Sequence, residues 1–168
     1  TRIDQRPTVV EGKSRIGDWE IDLVMGGKGQ GALVSLVERR SRYTLLGKVA
    51  SKQAEEVASK TIGVLAPHKE YTETITADNG KEFAPHTAIS QALDAAVYFA
   101  HPYHAWERGL NENTNGLIRQ YVPKGTAVDS LSEEQVHHIR DRLNHRPRKG
   151  WAFETPHEIL ARETGLHP

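Results

Sequence analysis

The stretch DWEIDLVMGGKGQGALVSLVERRSRYTLLGKV, residues 18–49, decides the fold class of this chain. It begins with an alternation of acidic and apolar side chains, which is typical of a strand with one buried face and one polar face. The acids on the polar face are Asp18, Glu20 and Asp22. Because acids on the outer face of a strand are usually solvated, we expect this for Asp18 and Glu20, and the role of Asp22 stays open.

Two further strands follow within the same stretch. A glycine-rich turn at 26–31 precedes an apolar run at 32–37, and a basic turn precedes a strand pattern at 43–49. Since neither turn is long enough for a crossover, the three strands are expected to form an antiparallel meander. The arginines of the basic turn are Arg39, Arg40 and Arg42.

Beyond residue 49 the sequence alternates between helical and β-rich patterns. Brief β-rich runs at 72–77 and 95–100 predict a fourth and a fifth strand, and the crossovers before them are long enough for helices. Apolar stripes, caps and proline breaks predict helices at 51–66 and 85–93, within the stretch 101–126, at 132–146 and from 155 onward. The sequence therefore predicts an α/β fold: a mixed five-stranded sheet of three antiparallel strands followed by α-β-α-β units, flanked by helices.

Composition sets wide limits on function. The chain has 168 residues, 22 basic against 22 acidic side chains and no cysteine. It is expected to form one core over 18–168, without disulfides or thiolate metal sites, in a compartment that can be reducing. No apolar run approaches the ~18 residues that span a bilayer. Residues 1–17 lack periodicity and do not begin with Met, so we expect an extended linker or arm within a longer protein.

The stretch HPYHAWERGLNENTNGLIRQYVPKGT, residues 101–126, combines a helical pattern with unusual polarity. Asparagines surround Glu112, and Arg108, Asn115 and Arg119 lie at helical offsets from it. The apolar row of the predicted helix is Trp106, Leu110, Leu117 and Tyr121. The polar face is either a chemical site or an exposed helix surface, and the residues alone leave both open.

Three acids occupy places where they could meet. Asp22 lies on the first strand, Asp78 directly follows the fourth, and a helix packed across the strand ends could deliver Glu112. Close carboxylates repel unless a cation lies among them, and oxygen ligands suit Mg²⁺ or Mn²⁺ rather than zinc. The alternatives are that Asp78 only shapes an Asp-Asn-Gly turn and that Glu112 is simply solvated.

The chain resembles the catalytic domain of DDE transposases of the insertion sequence 30 family. The resemblance rests on SRIGDWEIDLVMG at 14–26, TADNGKEF at 76–83, the stretch at 101–126, and LNHRPRKGWAFETPHEIL at 143–160. It implies a ribonuclease H-like, retroviral integrase-like fold. It also implies an acidic triad of Asp22, Asp78 and Glu112, with 33 residues between the last two, that binds two Mg²⁺ ions, for which Mn²⁺ can substitute.

The resemblance further implies a transposase core that cleaves DNA at transposon ends and joins a 3′-hydroxyl to target DNA. The resemblance implies an N-terminal helix-turn-helix region in members of the family, and we expect this sequence to begin after it. We expect DNA as partner, a homodimer or larger active complex, no membrane association, and a bacterial cytoplasmic location at the nucleoid. The residues predicted to contact DNA are Asn79, Lys81, His104, Asn115, Arg119, Lys124, Arg146, Arg148 and Lys149.

Three other functions remain open from the residues. The first is a ribonuclease H-like or structure-selective nuclease without strand transfer. The second is a catalytically idle DNA-binding or regulatory domain. The third is acid–base hydrolysis of a sugar by paired carboxylates, which would survive chelation of metals.

Overall fold

The computed structural model describes residues 1–165, apart from the side chain of Ala105. Its centre is a five-stranded sheet in the order β3-β2-β1-β4-β5. The strands are β1 (Asp18–Met25), β2 (Ala32–Glu38), β3 (Thr44–Val49), β4 (Thr74–Ala77) and β5 (Ala96–Phe99). β1, β2 and β3 pair antiparallel, whereas β4 and β5 run parallel to β1. The predicted mixed sheet is therefore confirmed.

Helices cover both faces of the sheet. They are α1 (Ala54–Leu65), α2 (His86–Leu93), α3 (Gly109–Ile118), α4 (Glu133–Asn144) and α5 (Pro156–Thr164). One core joins α1, α2 and α5 to the sheet face that carries Trp19 and Ile21. A second core joins α3 and α4 to the opposite face, through Val24 and Leu33. Because successive side chains of a strand point to opposite faces, the alternation of β1 assigns each of its residues to one of these layers.

Local sequence signals fix several helix boundaries. The predicted capping box of α4 is present, because Ser132 Oγ accepts the backbone N–H of Gln135 at 3.0 Å and Gln135 Oε1 accepts that of Ser132 at 2.8 Å. α5 begins with the same motif, formed by Thr155 and Glu158. Each box satisfies two backbone groups that a helix start leaves unpaired.

Two local predictions were wrong. Residues 1–17 are not an extended arm, since they form 3₁₀ turns at Ile3–Gln5 and Thr8–Val10 and bury the side chains of Ile3 and Val10. The first of these turns lies against β5 at the sheet edge, where Arg2 forms a β-bridge with Phe99. The helix in the stretch 101–126 begins at Gly109, after a 3₁₀ turn, and Trp106 is 72% exposed rather than part of an apolar row.

Within residues 1–165, no helix has the length and apolar character needed to cross a membrane.

Candidate functional site

Asp22 and Asp78 lie beside each other because β1 and β4 are parallel neighbours. Glu20 of β1 is paired with Thr76 of β4, and continuing this register by two residues places Asp22 level with Asp78. Asp22 points to the face covered by α3, since it is two residues from Glu20 and the side chains of a strand alternate. The strand order therefore brings together two of the acids predicted from the sequence.

One guanidinium group lies between these two carboxylates. Nη1 of Arg108 is 3.7 Å from Oδ2 of Asp22, and Nη2 is 3.7 Å from Oδ2 of Asp78. Because these distances exceed those of hydrogen bonds, the attraction is Coulombic. Nε and Nη1 of Arg108 are buried without a hydrogen-bond partner among the described residues. Sequence reasoning noted Arg108 only as a helical neighbour of Glu112 and missed its place between two acids.

Asp22 is held by neighbours on two elements. Its Oδ1 accepts a hydrogen bond from the backbone N–H of Leu23, and its Oδ2 accepts one from Nδ2 of Asn115 on α3. Both are 2.9 Å long. Burial raises the pKa of Asp22 above its ordinary value, Arg108 opposes the rise, and the charge of Asp78 adds to it. A partly buried carboxyl group beside a second one favours the presence of a cation.

Asp78 has two roles, one for each carboxylate oxygen. Its Oδ1 accepts the backbone N–H of Gly80 at 2.8 Å, which closes the turn after β4. Its Oδ2 faces Arg108. The interpretation of Asp-Asn-Gly as a turn is therefore correct, and it leaves the second oxygen available to a ligand.

Glu112 lies in the first turn of α3 and is exposed. Arg108 and Asn115, four residues before and three after it, both reach Asp22, so Glu112 shares the side of the helix that faces the two aspartates. The described residues include no group of three or more His, Asp or Glu side chains placed to hold a metal ion. The structure thus brings Asp22 and Asp78 together, and a contact of Glu112 with them stays a prediction.

Buried acids on β1 position the start of α3. Glu20 is fully buried, pairs with Arg39, and accepts the backbone N–H of Asn111 at 3.1 Å. Asp18 is also fully buried and binds both the guanidinium of Arg15 and, at 2.8 Å, Oγ1 of Thr74. The expectation that Asp18 and Glu20 are solvated was wrong, because the N-terminal segment, the basic turn and α3 cover this face.

Several of the predicted DNA contacts make local hydrogen bonds to backbone carbonyls. Asn79 Nδ2 donates to the carbonyl of Ala100 at 2.9 Å, and Arg119 Nη1 donates to that of Val122 at 3.3 Å, so both close local structure. His104 Nδ1 lies 2.7 Å from the carbonyl of Pro102. The lysines predicted as contacts, Lys81, Lys124 and Lys149, are exposed.

A small cleft opens beside Asp78. Its volume is about 200 Å³, and its walls include Asp78, Asn79, His104 and Arg108. A second, larger cavity of about 790 Å³ lies over the buried Glu20–Arg39 pair. The cleft is the one that gives solvent, and therefore a ligand, a path to the carboxylate of Asp78.

The donor set is suited to a hard divalent cation. Asp22 and Asp78 each present a carboxylate oxygen towards a position that already lies next to positive charge. Oδ1 of Asn115 is buried and has no hydrogen-bond partner within the described part of the chain. Oxygen ligands of this kind are those that Mg²⁺ and Mn²⁺ prefer. The residues fit such an ion, with Arg108 as the group that would have to move.

The fold and this pair of acids define the class of protein. A five-stranded mixed sheet with acids on β1 and directly after β4 is the ribonuclease H-like, retroviral integrase-like arrangement. A chain of a simian T-cell lymphotropic virus intasome, solved by cryo-electron microscopy in complex with PP2A regulatory subunit B56 gamma, superposes with a TM-score of 0.67. The match covers 84% of this chain and 53% of that one at 18% identity, and it shows the fold alone.

Curated relatives then identify the family. The transposase for insertion sequence element IS4351 of Bacteroides fragilis is 47% identical over 156 residues, which are 93% of this chain. The transposase InsI for insertion sequence element IS30A of Escherichia coli strain K12 is 38% identical over 167 residues, or 99% of this chain. Both relatives are transposases of insertion sequence elements, and the resemblance to the insertion sequence 30 family drawn from the sequence is confirmed.

Two further findings bound that identification. The chain spans 48% of the Bacteroides fragilis transposase and 43% of the Escherichia coli one, about half the length of these relatives. No family model matches the chain.

Proposed function

We propose that this chain is the catalytic core of a DDE transposase, a polynucleotidyl transferase that acts on transposon ends and target DNA. The observation that carries the proposal is the convergence of Asp22 and Asp78 on one cationic group beneath α3. The homology to transposases over nearly the whole chain supports it. In this proposal Asp22, Asp78 and Glu112 hold two Mg²⁺ ions, and Mn²⁺ can replace them.

The chain's own residues bind and orient the reacting groups. When bound, a pair of divalent ions activates the attacking oxygen and stabilises both the attacking and the leaving oxygen of an in-line displacement at phosphorus. Asn115 fixes the carboxylate of Asp22 by a hydrogen bond, and Glu20 anchors the start of the helix that carries Glu112. These residues hold the acids in place, which is the main contribution a protein makes to phosphoryl transfer.

One site suffices for two reactions because both are displacements at phosphorus. In the first, water attacks the phosphodiester at the transposon end and the 3′-oxygen leaves. In the second, that 3′-hydroxyl attacks a phosphodiester of target DNA, and a target 3′-oxygen leaves. DNA and, in the active complex, further copies of the protein are the proposed partners, at a cytoplasmic location near the nucleoid.

The test is Mn²⁺-dependent nicking of plasmid DNA and joining of an oligonucleotide 3′-hydroxyl to that plasmid. We expect Asp22→Asn, Asp78→Asn and Glu112→Gln each to reduce both activities by at least about 10², since each removes a metal ligand. Glu134→Gln, an exposed acid on α4, is the matched control and should retain both. Equal activity of Glu112→Gln and the parent chain would remove Glu112 from the site.

The alternative is a nuclease of the same fold that lacks strand transfer. The structural match to the intasome chain shows only a shared fold, which a nuclease can also have. Nicking of the plasmid without any joined product would favour this alternative over a transposase.

A further inference from the structure

The three arginines of the turn between β2 and β3 have different surroundings. Arg39 is buried against Glu20, and Arg40 Nη2 lies 2.9 Å from Oε1 of Glu163. The guanidinium carbon of Arg42 instead lies 4.5 Å from the centre of the Trp151 ring. Among the described residues, Arg42 has no carboxylate partner. The basic turn is therefore not one surface, since among its three arginines only Arg42 forms no salt bridge in the described part of the chain.

Arg42 is not alone. Arg146 and Arg148, in the segment after α4, lie near it. Burial lowers the pKa of Arg148 most, and the positive charges of Arg42 and Arg146 lower it further. Nε of Arg148 is buried without a hydrogen-bond partner in the described part of the chain, and Arg146 Nη1 donates to Oε1 of Gln120 at 3.1 Å. Like charges held together repel, so this arrangement favours the binding of an anion.

Nearby carboxylates are already engaged by other cations. Glu154 pairs with Arg162, Asp141 with Arg140, and Glu163 with Arg40. The chain is neutral as a whole, yet among the described residues no salt bridge joins Arg42, Arg146, Arg148 or the exposed Lys149 to an acid. We call these four side chains with Trp151 the arginine cluster.

The backbone holds this cluster in a fixed shape. Arg42, Ala152 and Phe153 have left-handed φ angles of 60°, 50° and 67°, a conformation that costs free energy for residues other than glycine. The backbone N–H of Phe153 donates to the carbonyl of Arg148, and that of Arg148 donates to the carbonyl of Glu154, both at 3.0 Å. These two hydrogen bonds close the loop 148–154. The result is a closed loop that holds Trp151 beneath Arg42 and leaves Phe153 65% exposed.

We propose that the arginine cluster binds the phosphodiester backbone of DNA at a position separate from the reacting phosphate. The proposal rests on the proposed function for the identity of the polyanion, and it assigns Arg42 and Trp151 to DNA binding beside the predicted Arg146, Arg148 and Lys149. A guanidinium group can donate two parallel hydrogen bonds to the oxygens of one phosphate. The ring of Trp151 orients the guanidinium group of Arg42. Phosphate contacts of this kind position a duplex and do not distinguish its sequence.

The sheet register sets the distance between the two places. The backbone N–H of Arg42 donates to the carbonyl of Glu38, the last residue of β2. Ser35, also on β2, is paired with Asp22 of β1. Three residues of β2 and one strand spacing separate Glu38, where the turn begins, from Asp22 by roughly 11 Å between Cα atoms. Arg42 follows Glu38 in the turn, so the cluster is separate from the two aspartates.

The test measures DNA affinity without metal, so that it does not depend on catalysis. Fluorescence anisotropy with a 20-base-pair duplex in EDTA, over a series of salt concentrations, compares the parent with Arg42→Gln/Arg148→Gln. We expect affinity to fall about tenfold or more, because charge-assisted hydrogen bonds to phosphate are removed. The slope of log K against log salt should become less steep by about 1.8, which is about 0.9 for each phosphate that the variant no longer neutralises.

Arg40→Gln is the matched control, since it removes the same charge from the same turn but from a paired arginine. It should change the salt slope by less than about 0.5. If the double variant is misfolded by circular dichroism, Arg42→Lys/Arg148→Lys keeps the charge and should retain the slope while its affinity falls.

Three outcomes would overturn the proposal: no measurable DNA binding by the parent, an unchanged slope in the double variant, or an equal change in Arg40→Gln. Failure of the proposed function has a different signature. In that case the double variant weakens DNA binding as expected, but the parent neither nicks nor joins DNA.

Discussion

β1 carries two carboxylate–arginine groups only two residues apart, and they differ in almost every physical respect. Glu20 and Arg39 are buried, with 0% and 5% of their side chains exposed. Asp22, with Asp78, faces Arg108 at 3.7 Å, and the two aspartates are 24% and 37% exposed. The same chemical types on the same strand face thus form one closed pair and one open group.

Hydrogen-bond satisfaction separates the two groups further. Glu20 also accepts the backbone N–H of Asn111, and Arg39 Nε donates to the carbonyl of Val10 at 3.1 Å. In the open group, two nitrogens of Arg108 have no hydrogen-bond partner among the described residues. A saturated buried pair is costly to disrupt, whereas a partly buried group without close hydrogen bonds exchanges partners at lower cost. We infer that the first serves as scaffold and the second is suited to take a ligand.

The largest effect is expected from breaking the closed pair. Arg39→Met leaves the charge of Glu20 buried without its partner, which costs about 3–5 kcal/mol of unfolding free energy. Urea denaturation at neutral pH measures it. The control Arg40→Met removes a surface ion pair from the same turn and should cost less than about 1 kcal/mol. Equal losses in the two variants would mean that the buried pair is not the scaffold of this face.

A double variant separates the pair from its parts. Glu20→Met together with Arg39→Met removes both charges, so its cost should be well below that of Arg39→Met alone, because no unpaired charge remains buried. Additive losses would contradict the view that the penalty arises from the orphaned carboxylate.

An intermediate effect is expected from removing the guanidinium group between Asp22 and Asp78. Arg108→Gln should change the free energy of unfolding by less than about 1 kcal/mol, since the contacts are long and partly exposed. It should tighten Mn²⁺ binding about three- to tenfold, because the competing cation between Asp22 and Asp78 is gone. Isothermal titration calorimetry of the metal with the parent and the variant measures this difference.

Arg119→Gln is the control for that measurement. Arg119 is a cation on the same side of α3, but it donates to a backbone carbonyl and contacts no acid among the described residues. Its Mn²⁺ affinity should match that of the parent. Weaker binding in Arg108→Gln would show that the guanidinium positions the acids for the metal rather than competing with it.

The contrast between the two groups also marks what sequence can predict. Strand bounds and the capping box at Ser132 depend on neighbouring residues, and they were predicted almost to the residue. The burial of Asp18 and Glu20 depends on Arg15, Arg39 and the backbone of Asn111, which come from separate segments. The alternation of acidic and apolar residues in β1 contains no information on those partners. It therefore indicated that Asp18 and Glu20 are solvated.

The candidate site shows the same division. The strand order and the helical offsets predicted that Asp22 and Asp78 approach each other and on which side of α3 Glu112 lies. They could not give the distance of Glu112 from the aspartates, because it depends on where α3 begins. The 3₁₀ turn that delays this start until Gly109 follows from a backbone conformation without a clear sequence signal.

The smallest effect concerns a third buried acid, which sharpens the comparison because no arginine side chain pairs with it among the described residues. Glu38 accepts hydrogen bonds from the backbone N–H of Gly17 at 3.1 Å and from N–H and Oγ of Ser41 at 2.7 Å. Burial raises the pKa of Glu38 above its ordinary 4.5, and these bonds only partly oppose the rise. Its ionised form is therefore less favourable in the folded chain than in the unfolded one.

The sign of the pH dependence follows from that direction. Between pH 4.5 and the raised pKa the folded state binds more protons than the unfolded state, so this contribution to stability is present below 4.5 and is lost as pH rises through the folded pKa. Glu38→Gln cannot titrate, so its stability relative to the parent should increase over this window. Urea denaturation of both proteins from pH 4 to pH 8 measures the difference. A difference that stays constant with pH would mean that hydrogen bonds alone stabilise a buried carboxylate here, and the arginine would then not be what distinguishes Glu20.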